Sequence, residues 1–124
     1  MNLFGTTVEM LRQGTIFASK RHELLAQNVA NADTPGFRAR DLAFSQELTI
    51  AQRATALPAE SVGTPTLDPR LVDSPDASLR PDGNTVDIDR QMARLAQNTN
   101  YQHAVVQLLS SRFRALRSAI SGQG

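Results

Sequence analysis

Leu25-Ala26-Gln27-Asn28-Val29-Ala30-Asn31-Ala32-Asp33-Thr34-Pro35-Gly36-Phe37 is where the chain stops being helical. Up to Ala32 it keeps a helical spacing of apolar residues. Asp33 and Thr34 are suited to capping exposed backbone groups. Pro35 cannot continue a helix, and Gly36 accepts the positive φ of a type II turn. Phe37 then returns to apolar contact. The stretch is read as the end of one long helix and a sharp change of direction.

Upstream of this stop there is no proline. Phe4, Val8, Leu11, Thr15, Ala18, His22, Leu25, Val29 and Ala32 recur in alternating steps of four and three, a heptad stripe. Met10, Phe17 and Leu24 form a second column that widens the apolar face. Gly14 weakens the helix locally by about 1 kcal/mol relative to alanine. Residues 1–33 are therefore expected to form an N-terminal helix.

The other end repeats the pattern. Ile88, Met92, Leu95, Thr99, Gln102, Val106, Leu109, Phe113, Leu116 and Ile120 alternate four and three, with Val105 and Leu108 beside them. Asp87 and Asp89 supply the negative charge that an N-cap and first turn favour, and Gly122 can end the helix. Residues 86–124 are expected to hold a C-terminal helix of about 33 residues, roughly 50 Å long. An antiparallel pairing of the stripes would put His22 near Thr99 and Ala18 near Gln102.

Between them, residues 34–85 contain all six prolines and read as an extended central segment. The patch Leu42–Ile50 could be a short strand or helix. A connection this long is uncommon inside a compact domain, so neighbours are expected to order it. The fold class expected is all-α: two long terminal helices in an antiparallel coiled-coil hairpin, with an extended, partly disordered middle.

A thin hairpin encloses little core, and one partner helix cannot cover two apolar columns. The stripe residues Val8, Leu11, Ala18, Leu25, Val29, Ile88, Met92, Leu95, Val106, Leu109, Phe113, Leu116 and Ile120 are thus candidates for an assembly interface. Stability and assembly would then be one equilibrium.

The 124 residues bound the chain to one small domain. Cysteine is absent, which excludes disulfides and thiolate metal sites. One tyrosine and no tryptophan give too little aromatic surface for a base-stacking platform. The N-terminal residues lack the pattern of a cleaved secretory signal, and no apolar run reaches the length of a membrane span. His22-Glu23-Leu24-Leu25-Ala26 opens like a zinc protease motif, but Ala26 occupies the second histidine's place. His22 is assigned a packing role on the stripe and His103 a place on the helix surface. No phosphate loop or nucleophile motif occurs. The expectation is a non-enzymatic protein without cofactor or metal.

Net charge is +1, unevenly spread: nine acids and five bases between residues 34 and 89, then five arginines and no acid from Arg90 onward. A basic helix leaves a small helical nucleic-acid-binding protein as the reading from a different class. Arg90, Arg94, Arg112, Arg114 and Arg117 do not form one dense stripe, which weakens it.

The run Leu25–Phe37 also resembles the LAxNIANxxTPGY signature of the rod and hook axial proteins of the bacterial flagellum. Asn28, Asn31, Thr34, Pro35, Gly36 and Phe37 carry it, with phenylalanine where tyrosine is usual. Within that family, Ala32–Gly36 followed by Arg38-Ala39-Arg40-Asp41 and Phe44 looks like the FlgB-type rod proteins. Gly83-Asn84-Thr85-Val86-Asp87-Ile88-Asp89, then Asn98 and Tyr101-Gln102, resembles their C-terminal half. The likeness spans roughly residues 8–44 and 83–120. A sibling rod or adaptor protein, FlgC-like, is the near alternative.

This resemblance implies a structural subunit of the proximal rod, with terminal helices forming the inner coiled-coil layer of a hollow shaft that transmits torque. It implies export by the flagellar type III apparatus without signal cleavage, and a place in the basal body within the periplasmic space. The partners it implies are the membrane-ring adaptor FliE, FlgC-type and FlgF-type rod proteins, and further copies of the chain. Phe44 and Leu48 resemble the short patch that early flagellar substrates present to the export gate.

Overall fold

The computed structural model describes residues 3–43, 69–75 and 77–122. Four elements follow in order: α1 (Leu3–Ala30), β1 (Arg40–Ala43), β2 (Arg70–Asp73) and α2 (Ile88–Ser121). At 1.5 Å per residue, the 28 residues of α1 and 34 of α2 make rods of about 42 and 51 Å. The helices pack against each other and run in opposite directions. Asn28 meets Gln91 near one end, and Ser19 meets Gln102 further along. Ser19–Gln102 lies one residue from the expected Ala18–Gln102 pairing, whereas Ala18 O itself receives Asn98, one helical turn away.

The termini of α2 follow from its sequence. Asp87, in extended conformation, accepts a hydrogen bond from the backbone N–H of Arg90, and Gly122 closes the helix with a left-handed φ of 68°.

A two-stranded sheet adds to the all-α expectation. β1 and β2 pair antiparallel, Arg40 opposite Asp73 and Ala43 opposite Arg70. Neither Arg-Asp-Leu-Ala nor Arg-Leu-Val-Asp alternates apolar with polar residues, so no strand pattern marks them. Leu42 belongs to β1. Phe44, Leu48 and the rest of the apolar patch lie outside the described residues.

The buried faces also differ from the stripes. In α1, Gly14, Phe17, Ala18, Leu25 and Asn28 are buried, while His22 is exposed rather than packed. In α2 the buried column is Gln91, Asn98 and Val105, spaced by sevens and mostly polar. Leu95 and Leu109 are half-buried. Ile88, Met92, Val106, Phe113, Leu116 and Ile120 are exposed. The apolar stripe of α2 has two flanks. α1 sits against one of them, because directed polar contacts from Asn28 and Ala18 reach Gln91 and Asn98 there.

Candidate functional site

At the end of α1 the helix leaves carbonyl oxygens without intrahelical donors. The sequence suggested that Asp33 and Thr34 cap this end. Thr34 does so in part, its N–H donating to Asn31 O at 3.1 Å; the further donors come from the Asn31 side chain and from beyond residue 79. The Asn31 carboxamide donates to Gln27 O at 2.8 Å, and Thr34 Oγ1 donates to Asn31 Oδ1. The fully buried Asn84 donates through Nδ2 to the carbonyls of Asn31, Ala32 and Thr34 at 2.9, 3.1 and 2.7 Å. Arg80 Nη1 also donates to Ala32 O, placing a cation at a helix C-terminus, where the macrodipole favours it. The Asn84 Oδ1 accepts from Val86 N, so both faces of the carboxamide are used.

The turn after α1 has the form expected. Phe37 N donates to Thr34 O, with Pro35 and Gly36 between them and Gly36 at φ 74°. It docks on a second turn. Gly36 N donates to Asp82 O, and a side chain on Gly83 would come within 3.4 Å of Gly36 Cα. Thr85 N donates to Phe37 O while Thr85 Oγ1 accepts from Ala39 N at 2.8 Å. Ala32, Ala39 and Val86 form a small apolar core under this elbow, covered by Phe37. The stretch from 80 to 85, part of the segment expected to be ordered by neighbours, is thus held by its own chain.

Two further polar layers lock the elbow to the helices. Asn28 Nδ2 donates to Arg40 O and to Gln91 Oε1, and Asn28 Oδ1 accepts from Arg40 N. Gln91 Nε2 then donates to Ser74 Oγ beside β2. Below this layer, Asp41 on β1 receives Arg21 of α1 through Nε and Nη2 at 2.7 and 2.9 Å, and Arg94 of α2 at 2.9 Å. Burial pushes the Asp41 carboxyl up. The hydrogen bonds and charge of Arg21, the Leu42 N–H and the charge of Arg94 outweigh it and hold the group below the usual aspartate range. One carboxylate therefore joins both helices and the sheet.

Of the residues marked by the sequence, Asn28, Asn31, Thr34, Pro35, Gly36 and Phe37 come together in the elbow. Ala18 and Leu25 are buried within the hairpin; Val8, Leu11 and Val29 are half-buried. Ile88, Met92, Val106, Phe113, Leu116 and Ile120 form an exposed apolar ridge on α2. Sequence reasoning missed the Arg21–Asp41–Arg94 cluster and the Gln91–Ser74 contact, because nothing in local spacing marks partners that lie 17 to 53 residues away. Asn84 stood in the quoted motif, but without a physical role.

Among the described residues there is no cluster of three or more potential metal ligands. No described helix is long and apolar enough to cross a membrane.

No family model matches the chain. Curated relatives do. The chain is 36% identical over 121 residues to the flagellar basal body rod protein FlgB of Salmonella typhimurium, covering 84% of this chain and 85% of that protein. It is 32% identical over 130 residues to FlgB of Bacillus subtilis, covering 98% of each. It is 37% identical over 119 residues to FlgB of Escherichia coli, covering 82% and 83%. At this identity, over nearly the full length of both chains, the chain belongs to the FlgB family of flagellar basal body rod proteins.

Proposed function

We propose that the chain is a structural subunit of the flagellar basal body rod, with the elbow setting the geometry of the hairpin and the α2 ridge receiving neighbouring subunits. The observation that carries this reading is the division of α2. Its polar column is buried against α1, and its apolar ridge is exposed. Soluble chains seldom expose so many large apolar side chains along one side of a helix without a partner for them.

The finer reading rests on the resemblance. The paired helices form an antiparallel coiled coil in the inner layer of a hollow, torque-transmitting shaft. FliE, FlgC-type and FlgF-type proteins and further copies of the chain are its neighbours. The chain reaches the rod through the flagellar type III apparatus, with no cleaved signal and with Phe44 and Leu48 as the export patch. The role is architectural rather than enzymatic. The nucleic-acid alternative is not favoured: the relatives are named as rod proteins. Arg112 also lies on the side of α2 away from Arg114 and Arg117.

Phe113→Asp tests the reading, since Phe113 is exposed and its loss should leave the hairpin intact. Leu109 is half-buried, so an aspartate there would confuse folding with assembly. The variant should keep its circular dichroism and denaturation midpoint, be exported, and be missing from purified basal bodies in non-motile cells. Normal incorporation would remove the ridge from the assembly surface.

A further inference from the structure

Asp82-Gly83 is the one Asp-Gly pair in the chain, and it sits at the tip of the turn that closes the elbow. Such a pair is prone to a spontaneous backbone rearrangement, because glycine places no side chain in the way of its own peptide nitrogen. The Gly83 nitrogen attacks Cγ of the protonated Asp82 carboxyl. An N–Cγ bond forms, the Cγ–OH bond breaks, and the amide proton leaves with the hydroxyl as water. Water then adds to the Asp82 main-chain carbonyl carbon of the resulting succinimide and breaks its bond to Gly83 N. The composition is unchanged and no electron acceptor is needed. The backbone now runs through Cβ and Cγ, one methylene longer, with a free carboxylate on Cα.

In the closed elbow every participant is held elsewhere. Gly83 N donates to Arg80 O at 2.9 Å. Asp82 Oδ1 accepts from Asn84 N at 3.0 Å. The Asp82 carbonyl that must hydrolyse accepts from Gly36 N at 3.0 Å. Gly83 is fixed at φ 79° against Gly36. The Asp82 side chain is itself a third exposed, so the constraint is conformational and not a lack of water.

We propose that Asp82-Gly83 is a covalent modification site, forming isoaspartate in the open chain and protected while the elbow is closed. The extra methylene would carry Asn84 away from the three carbonyls it caps. A chain left open for long therefore loses the ability to close. This proposal does not depend on the assembly reading.

The test incubates the full chain at neutral pH, once in buffer and once in denaturing urea. Isoaspartate is measured by isoaspartyl methyltransferase labelling and peptide mapping. Modification at Asp82 should be several-fold slower in buffer. Asn84→Ala in buffer should age like the urea sample, and Asp82→Glu should leave this position unlabelled. Urea-aged chain returned to buffer should regain less denaturant resistance than fresh chain treated alike. Equal rates in buffer and urea, or full recovery of heavily modified chain, would overturn the proposal.

Discussion

Asn84 Nδ2 lies 2.7 Å from the carbonyl oxygen of Thr34, fifty residues away in the chain. The same nitrogen serves Asn31 and Ala32. One carboxamide thus caps the end of α1 from the segment that leads into α2, and the helices cannot shift along each other without breaking it.

Asn84→Ala removes the three donated hydrogen bonds and leaves the buried N–H of Val86 without its acceptor. It should cost about 2 kcal/mol or more, since an unsatisfied buried donor keeps its full desolvation penalty. Urea unfolding followed by circular dichroism measures this; a midpoint equal to the parent's would show that the elbow does not hold the hairpin.

Asp41 makes the fold acid-sensitive in a defined direction. Its folded value lies below the ordinary 3.8, so its contribution is complete above that value and is lost as pH falls through the folded value. Asp41→Asn should abolish this loss, and should weaken the fold at neutral pH by leaving Arg21 and Arg94 without their shared carboxylate. Glu9, lowered to about 2 by its hydrogen bonds from Arg12 and Gln13, also titrates below its ordinary value, but it is half-exposed and those partners lie on its own helix. Glu9→Gln should leave the profile nearly unchanged. Denaturation midpoints across acid pH distinguish the two.

Asn98 is buried, donates to Ala18 O, and has an Oδ1 without a partner among the described residues. Ala18 O lies inside α1 and keeps its helical donor, so removing Asn98 strands nothing. Asn98→Leu should therefore stabilise the hairpin, by about 1 kcal/mol. A lower urea midpoint would mean the carboxamide is satisfied in solution.

Gly14 faces Tyr101: an added Cβ would meet the phenol oxygen at 3.0 Å. That oxygen is the tip of a side chain already 39% exposed, so it can move outward. Gly14→Ala should gain up to about 1 kcal/mol of helix propensity, less the cost of that movement. Burial raises the Tyr101 phenol, and the outward movement should bring it back toward its ordinary value. Ultraviolet titration reads this one tyrosine alone; an unchanged phenol value would show that the ring had stayed in place.

Local spacing by itself determined both helices, the Asp87 and Gly122 caps and the Pro35-Gly36 turn. Each of these depends on residues within a few positions of one another. The same spacing placed His22 inside and treated the stripe of α2 as one face. Only the tertiary structure decided otherwise, because a stripe with two flanks does not say which one its partner covers. The choice is made by single polar atoms. Asn28 finds Gln91, Asn98 finds Ala18 O, and Asp41 collects Arg21 and Arg94. Hydrogen bonds are directional and short, so they select one rotation of α2 where apolar contact would tolerate several. Such contacts join positions 20 to 80 residues apart, and they leave no mark on the local pattern of either helix.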